Sequence, residues 1–299
     1  MQIIESDFIS RGTRCAGTLH LPDANPSPPV IVMAHGFGAI RAAGLQAFAD
    51  RFLAAGYAVY LFDYRGFGDS EGVPRQWVSP RRHLQDWQAA LAHVRMLLQV
   101  DVQRIALWGT SFSGGHVLQT AAHDSGVRAV VAQVPHVSGI ASLIKVPFLT
   151  SLRLGIAGLA DLVGGWLGKP LYRPIIGHPG EVAAMSSAGS WDGYLAMFPS
   201  GARWENQMRA RIALELPLYS PIRHAHRIRA RTLIIAGRND SVTPSSAARR
   251  TAQRIPQARF ELLESNHFQP YVGETFEKNI ALQLGFLKEA LSVGKWNSP

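Results

Sequence analysis

The sequence has one cysteine, Cys15, in 299 residues. A disulfide framework within the chain is excluded, which suits a reducing compartment. Cys15 falls in an early strand pattern far from any motif, where a small buried apolar role is expected of it. Charge is also sparse: 17% of residues are charged against 47% hydrophobic, enough to bury a sizeable core and too apolar for a disordered chain. Acidic residues are the scarcer sign, 21 against 30 basic, which leaves a net charge of +9. That surplus raises nucleic acid or an anionic surface as partners. The arginines are scattered, however, and their densest cluster, RHAHRIRAR (223–231), has no interleaved aromatics on which bases would stack. It reads as a solvated connecting segment, and no nucleic-acid partner is expected. The opening MQIIESDFIS is neither basic nor followed by an apolar core, so no secretory signal is read and a cytoplasmic location is expected. No internal repeat is found. One apolar run, 146–168, is long enough to cross a bilayer, yet it carries Arg153, Asp161 and interspersed glycines. It is expected to rest on a lipid surface or to cover a greasy pocket, without stable insertion.

What is present is an alternation. Residues 2–10 and 13–21, separated by Arg11-Gly12, read as an opening antiparallel pair. Short, largely apolar runs, PPVIVMAHG (28–36), YAVYLFDYRG (57–66), RIALWG (104–109), VRAVVAQVP (127–135), RTLIIAG (231–237) and FELLES (260–265), read as strands, the first two as buried ones. Helical spacing lies between them. Leu45, Phe48 and Phe52 share one helix face before Gly56 stops it. Ser79-Pro80 offers a capping hydroxyl and a first-turn proline for a helix to about residue 99, with Leu84, Trp87, Leu91, Val94 and Leu98 on one face. Further helices are expected over 113–123, after Thr243-Pro244, and over 272–292. Strands apolar on both faces and alternating with helices predict an α/β fold: a mostly parallel sheet covered on two sides. The alternation breaks only over 136–222, where helical and loop signals replace strands. The organisation predicted is therefore a core of 1–135 and 223–299, with a mainly helical cap inserted at 136–222.

The junction LWGTSFSGG (107–115) carries the chemistry. A serine between a buried strand and a helix sits on a sharp turn that exposes its hydroxyl beside a helix N-terminus. The pattern is usually G-x-S-x-G; here Gly109, Ser111 and Ser113 fill the fixed places. Ser111 is the candidate nucleophile. Ser113 keeps the third place small, and its hydroxyl is available to cap the helix. A serine needs a base, and in the strand–turn–helix version of this site the acid and then the histidine follow in chain order. Asp240 in GRNDSVTP (237–244) and His267 in SNHFQPY (265–271) each follow a strand. Taken singly, Asp240 also suits an Asx-turn before Pro244 and His267 a loop or capping role. The loop HGFG (35–38) supplies a backbone N–H from Phe37 and the nucleophile's own turn one from Phe112, two donors for an oxyanion. His35 is read as a structural support of that loop. His136 starts the insertion and borders any pocket there, with no role assigned.

HGFG, DYRGFGDSEG (63–72), GTSFSGG, GRND and NHF stand in the order found in the α/β-hydrolases, which the chain resembles over nearly its whole length. The GTSFSGG variant is similar to the dienelactone-hydrolase-like and X-Pro-dipeptidyl-peptidase-like branch, with Ser113 for the usual glycine as the departure. The resemblance implies an eight-stranded sheet and a structural role for Asp63, Arg65 and Asp69. It implies catalysis by Ser111, His267 and Asp240 on carboxylic esters or thioesters, with no metal or organic cofactor. An X-Pro-type peptidase, or a catalytically silent binding protein, is the alternative. The expected partner is a small ester or thioester with an apolar acyl or aromatic part, and a homodimer is left open. For the pocket wall, the apolar cap residues Leu149, Leu152 and Trp166 are the candidates.

Overall fold

The largely apolar runs form the parallel part of a single sheet, with the last of them, 260–265, at its part-buried edge. A computed structural model describes residues 1–23 and 25–292. In chain order the strands are β1 (Gln2–Glu5), β2 (Phe8–Ser10), β3 (Thr13–Cys15), β4 (Gly17–Leu21), β5 (Pro29–Ala34), β6 (Ala58–Phe62), β7 (Asp101–Thr110), β8 (Val127–Gln133), β9 (Tyr172–Arg173), β10 (Met208–Arg209), β11 (Arg231–Gly237) and β12 (Ala258–Leu263). The α-helices are α1 (Leu45–Ala54), α2 (Pro80–Val94), α3 (Phe112–Ala121), α4 (Gly139–Leu143), α5 (Phe148–Trp166), α6 (Ser190–Leu195), α7 (Ile212–Glu215), α8 (Ser245–Ala252) and α9 (Gly273–Leu291). The main sheet has eight strands in the order β1-β4-β6-β5-β7-β8-β11-β12. β1 and β4 are antiparallel, as is β4 against β6, and every pairing from β6 through β12 is parallel.

Alternate residues of each central strand feed two separate cores. In β5, Val30, Val32 and Ala34 pack into the core under α2, α3 and α8, while Ile31 and Met33 point into the one under α1 and α9. Both faces are covered, which is why these strands read as unbroken apolar runs. Parallel strands put all their carboxyl ends at one edge, and the loops after β5, β7, β8, β11 and β12 converge there. Between β8 and β11 the chain leaves the sheet to form α4 to α7 and the short antiparallel pair β9–β10.

Two local expectations differ. The helix from Ser79-Pro80 ends at Val94, and Leu98, placed on its inner face by the periodicity, is 95% exposed. Ser79 does not cap it. Its hydroxyl donates to Glu215 at the end of α7, a stronger charge-assisted partner than a backbone amide.

Candidate active site

The turn between β7 and α3 is built by close approach. A Cβ on Gly109 would stand 2.3 Å from the carbonyl oxygen of Ser113, and one on Gly115 would stand 2.1 Å from that of His136. Only glycine fits at either position. Ser111 between them takes φ 53°, ψ −117°, a left-handed conformation that a side chain rarely adopts. The end of β8 holds it there: the Ser111 amide donates to the Gln133 carbonyl at 2.9 Å, and the His136 amide donates to the Ser111 carbonyl at 2.8 Å. Ser113 is fully buried and does not cap α3. It accepts a hydrogen bond at 3.1 Å from the hydroxyl of Tyr64, which in turn accepts one from the Trp87 indole. The third place of the motif therefore carries a buried polar tether where glycine is usual.

His267, in the loop after β12, brings its Nε2 to 3.0 Å from Ser111 Oγ and its Nδ1 to 2.7 Å from Asp240 Oδ2. The three residues 111, 240 and 267 meet at the carboxyl edge of the sheet, each nearly buried. Both readings of Asp240 are realised, one per oxygen: Oδ1 accepts the amides of Val242 and Thr243, as an Asx-turn does, and Oδ2 faces the imidazole. Burial pushes the Asp240 carboxyl up, but His267 beside it and those two amides outweigh burial and hold it below the usual carboxylate range. An anionic carboxylate against Nδ1–H leaves Nε2 free to accept a proton from the serine, the geometry of a proton relay.

On the opposite side of Ser111 lies the loop after β5. Phe37 and Phe112 meet edge to face, ring centres 5.2 Å apart, which locks the two loops together. Among the described residues neither backbone amide has an acceptor. For Phe112 this follows from its place in the first turn of α3. His35 stays below: its Nδ1 lies 3.0 Å from the Gly36 carbonyl, and burial pushes its pKa down to about 3, leaving it neutral. Asp63 accepts the amides of Arg41 and Asp69, and Arg65 is ion-paired with buried Asp86, so the DYRGFGDSEG turn is tied together beneath the loop.

A cavity of about 250 Å³ opens from Ser111. Phe37, Phe112 and His136 form its floor, and Leu143, Val146, Pro147 and Leu154 form part of its wall. Leu149, Leu152 and Trp166 do not line it: they are exposed by 54%, 47% and 94%, on the far side of α5. The helix is rotated relative to the expectation because its small and polar face, Thr150, Ala157, Gly158 and Asp161, packs inward. Periodicity located a stripe and could not say which face the rest of the protein would take.

Sequence reasoning missed three supporting residues. Thr243 places its hydroxyl 2.9 Å from Asp240 Oδ2. Tyr194 of α6 donates to the Phe37 carbonyl at 2.8 Å, and the Trp204 indole donates to the Gly38 carbonyl at 2.8 Å. Thr243 stands in the Thr243-Pro244 helix start and Tyr194 and Trp204 in the 136–222 stretch, and no motif marks any of the three. Among the described residues no cluster of three or more His, Cys, Asp or Glu side chains could hold a metal ion.

The sequence profile described as serine aminopeptidase, S33, matches residues 25–268. The chain is 41% identical over 291 residues to the quorum-quenching protein AidA of Acinetobacter baumannii (strain MDR-ZJ06), covering 97% of this chain and 96% of that one. It is 37% identical to the thiohydrolase aneE of Aspergillus aculeatus over 132 residues, 44% of this chain and 41% of the relative. Its fold superposes with a TM-score of 0.83 on that of DcsB, solved in complex with its substrate analogue, at 23% identity and covering 97% and 99% of the two chains. The matching family is the S33 type, so the superfamily expectation stands; the finer dienelactone-hydrolase-like or X-Pro-like branch is not what the match names.

Proposed function

The chain belongs to the serine aminopeptidase S33 family of α/β-hydrolases, and from that premise we propose that it cleaves small carboxylic esters or thioesters through an acyl-enzyme on Ser111. The observation that carries this reading is one imidazole, His267, within hydrogen-bond reach of both Asp240 and Ser111, the serine that opens onto an apolar cavity. Ser111 Oγ attacks the carbonyl carbon while His267 Nε2 takes its proton. Asp240 fixes the tautomer and stabilises the imidazolium. The carbonyl oxygen becomes an oxyanion held by the unspent amides of Phe37 and Phe112, and the loss of one such donor costs about 10²–10³ in turnover. His267 then protonates the departing alcohol or thiol. Water, deprotonated by the same nitrogen, attacks the acyl-serine and releases the acid.

The relative named as a thiohydrolase supports thioesters as well as esters among the bonds cleaved. The relative named for quorum quenching supports a diffusible signal as substrate, and an acylated lactone is an ester that this machinery opens by the same steps. A peptidase reading takes support from the family's description, but no acidic side chain lines the cavity to receive a peptide amino terminus.

The test is a fluorophosphonate probe with peptide mapping, together with turnover of p-nitrophenyl esters, acyl thioesters and an N-acyl homoserine lactone. The expected result is labelling at Ser111 and turnover that Ser111→Ala abolishes. Labelling elsewhere, or turnover that survives Ser111→Ala, overturns the reading. Wild-type protein that neither labels nor turns over would make this a silent binding protein.

A further inference from the structure

Helix α5 is inside out. The residues it buries, Thr150, Leu154, Ala157, Gly158 and Asp161, are mostly small or polar. Its outward stripe is Phe148, Leu152, Ile156, Leu159, Val163 and Trp166, at helical spacing, and each is between 47% and 94% exposed. Ile140, Leu143 and Ile144, on and just after α4, extend that face. Exposed large apolar side chains scattered singly are ordinary, whereas a row of six along one helix face is the mark of a docking surface.

Three observations choose the occupant. The first is charge. Across 139–169 the charged residues are Lys145, Arg153, Asp161 and Lys169, and the three basic ones are exposed. Asp161, the one acid, is fully buried and ion-paired with Arg209 and Arg211. A second copy of this chain would bring like charges together, whereas an anionic surface is complementary. The second is the cavity mouth. Leu143, Lys145, Val146, Pro147 and Ser151 line the cavity that reaches Ser111, and Leu143 and Lys145 are exposed at its rim. A protein seated on this face would close the entrance, whereas a lipid surface would feed it. The third is anchorage. By length and composition α5 could cross a membrane, but Asp161 holds it to the body of the protein by accepting the Leu171 and Arg211 amides as well as both guanidinium groups. The helix can lie on a bilayer and cannot leave the fold to span one.

We infer that the outer face of α4 and α5 docks on an anionic lipid surface, with the mouth of the Ser111 cavity turned toward it. Docking itself rests on the face and not on hydrolysis, so Ser111→Ala separates the two.

The test is co-sedimentation of the full chain with phosphatidylcholine vesicles, with and without phosphatidylglycerol. Wild type and Ser111→Ala are expected to bind the phosphatidylglycerol vesicles several-fold better than phosphatidylcholine alone, and less as salt rises. Ile156→Glu/Leu159→Glu is expected to lose that binding while keeping its circular dichroism and phosphonate labelling. Arg153→Glu/Lys169→Glu, which leaves the apolar stripe intact, is expected to remove the preference for phosphatidylglycerol. Three results overturn the inference: equal binding to both vesicles, binding unchanged in both double variants, or no vesicle binding together with a dimer in sedimentation equilibrium that Ile156→Glu/Leu159→Glu dissociates. The last would assign the face to a second copy.

Discussion

Tyr194 reaches out of the insertion and donates its hydroxyl to the carbonyl of Phe37, 2.8 Å away, fixing the peptide next to the amide that would receive an oxyanion. Tyr194 does not line the cavity walled by Leu143, Val146, Pro147 and Leu154, so its loss is expected to act on the transition state and not on binding. Tyr194→Phe is expected to lower kcat/KM about tenfold, or ~1.4 kcal/mol, carried by kcat. Steady-state kinetics on p-nitrophenyl esters measures this. A change confined to KM would place Tyr194 in substrate binding instead.

Ser113 gives a second prediction because its hydroxyl accepts from Tyr64 in a fully buried place. Ser113→Ala removes the acceptor without moving the backbone and leaves the Tyr64 O–H with no acceptor, though its oxygen keeps the Trp87 indole, at a cost of about 1–3 kcal/mol. Ser113→Gly restores the commoner motif and is expected to cost about 1 kcal/mol more through helix propensity. Urea unfolding measures both, and kcat should stay within about twofold, since neither change reaches the proton path. A large fall in kcat for Ser113→Ala with little loss of stability would show that the tether positions Ser111.

The strands and the meeting of residues 111, 240 and 267 were legible because each rests on local signals that the topology then brings together. A run such as RTLIIAG states its own burial, and parallel strands put every following loop at one edge. What was not legible depended on partners distant in sequence. Ser79 carries every mark of a cap, yet Glu215 from the insertion takes its hydroxyl. Leu98 continues the helical spacing, yet nothing packs over it. The inward face of α5 was decided by Arg209 and Arg211 capturing Asp161, a tertiary contact that no periodicity reports.

That capture is itself testable. The Asp161 carboxylate is fully buried, and burial, which would raise its pKa, is outweighed by Arg209, the Leu171 and Arg211 amides and the charge around it. Asp161→Asn leaves two guanidinium groups without a counter-ion, and breaking a buried pair of this kind costs about 3–5 kcal/mol. The damage is expected to appear first as faster hydrogen exchange and proteolysis within α5 and β9–β10, before the sheet unfolds. Simultaneous loss of protection in the sheet would mean that the insertion and core unfold as one unit.

The buried histidines set the pH dependence of stability. Burial pushes His35 down to about 3 and His136 down to about 4. It also holds His83 and His116 well below the ordinary value, helped by neighbouring histidines. In the unfolded chain these groups take up protons near pH 6.5. As pH falls below that, the unfolded state binds more protons than the folded one, so stability present above about pH 6.5 is lost on the way down to about pH 4. Asp63 acts in the opposite sense: burial raises it to about 6, so its protonation favours the folded state as pH falls through that value. The raised carboxyls of Asp63, Asp86 and Glu215 offset part of what the four imidazoles lose, and a net loss of stability is expected between pH 7 and pH 5. Urea unfolding across that range measures it, and His136→Gln is expected to flatten the slope by up to ~1.4 kcal/mol per pH unit. An unchanged slope would mean that His136 takes up its proton in the folded protein, and that the floor of the cavity is positively charged in mild acid.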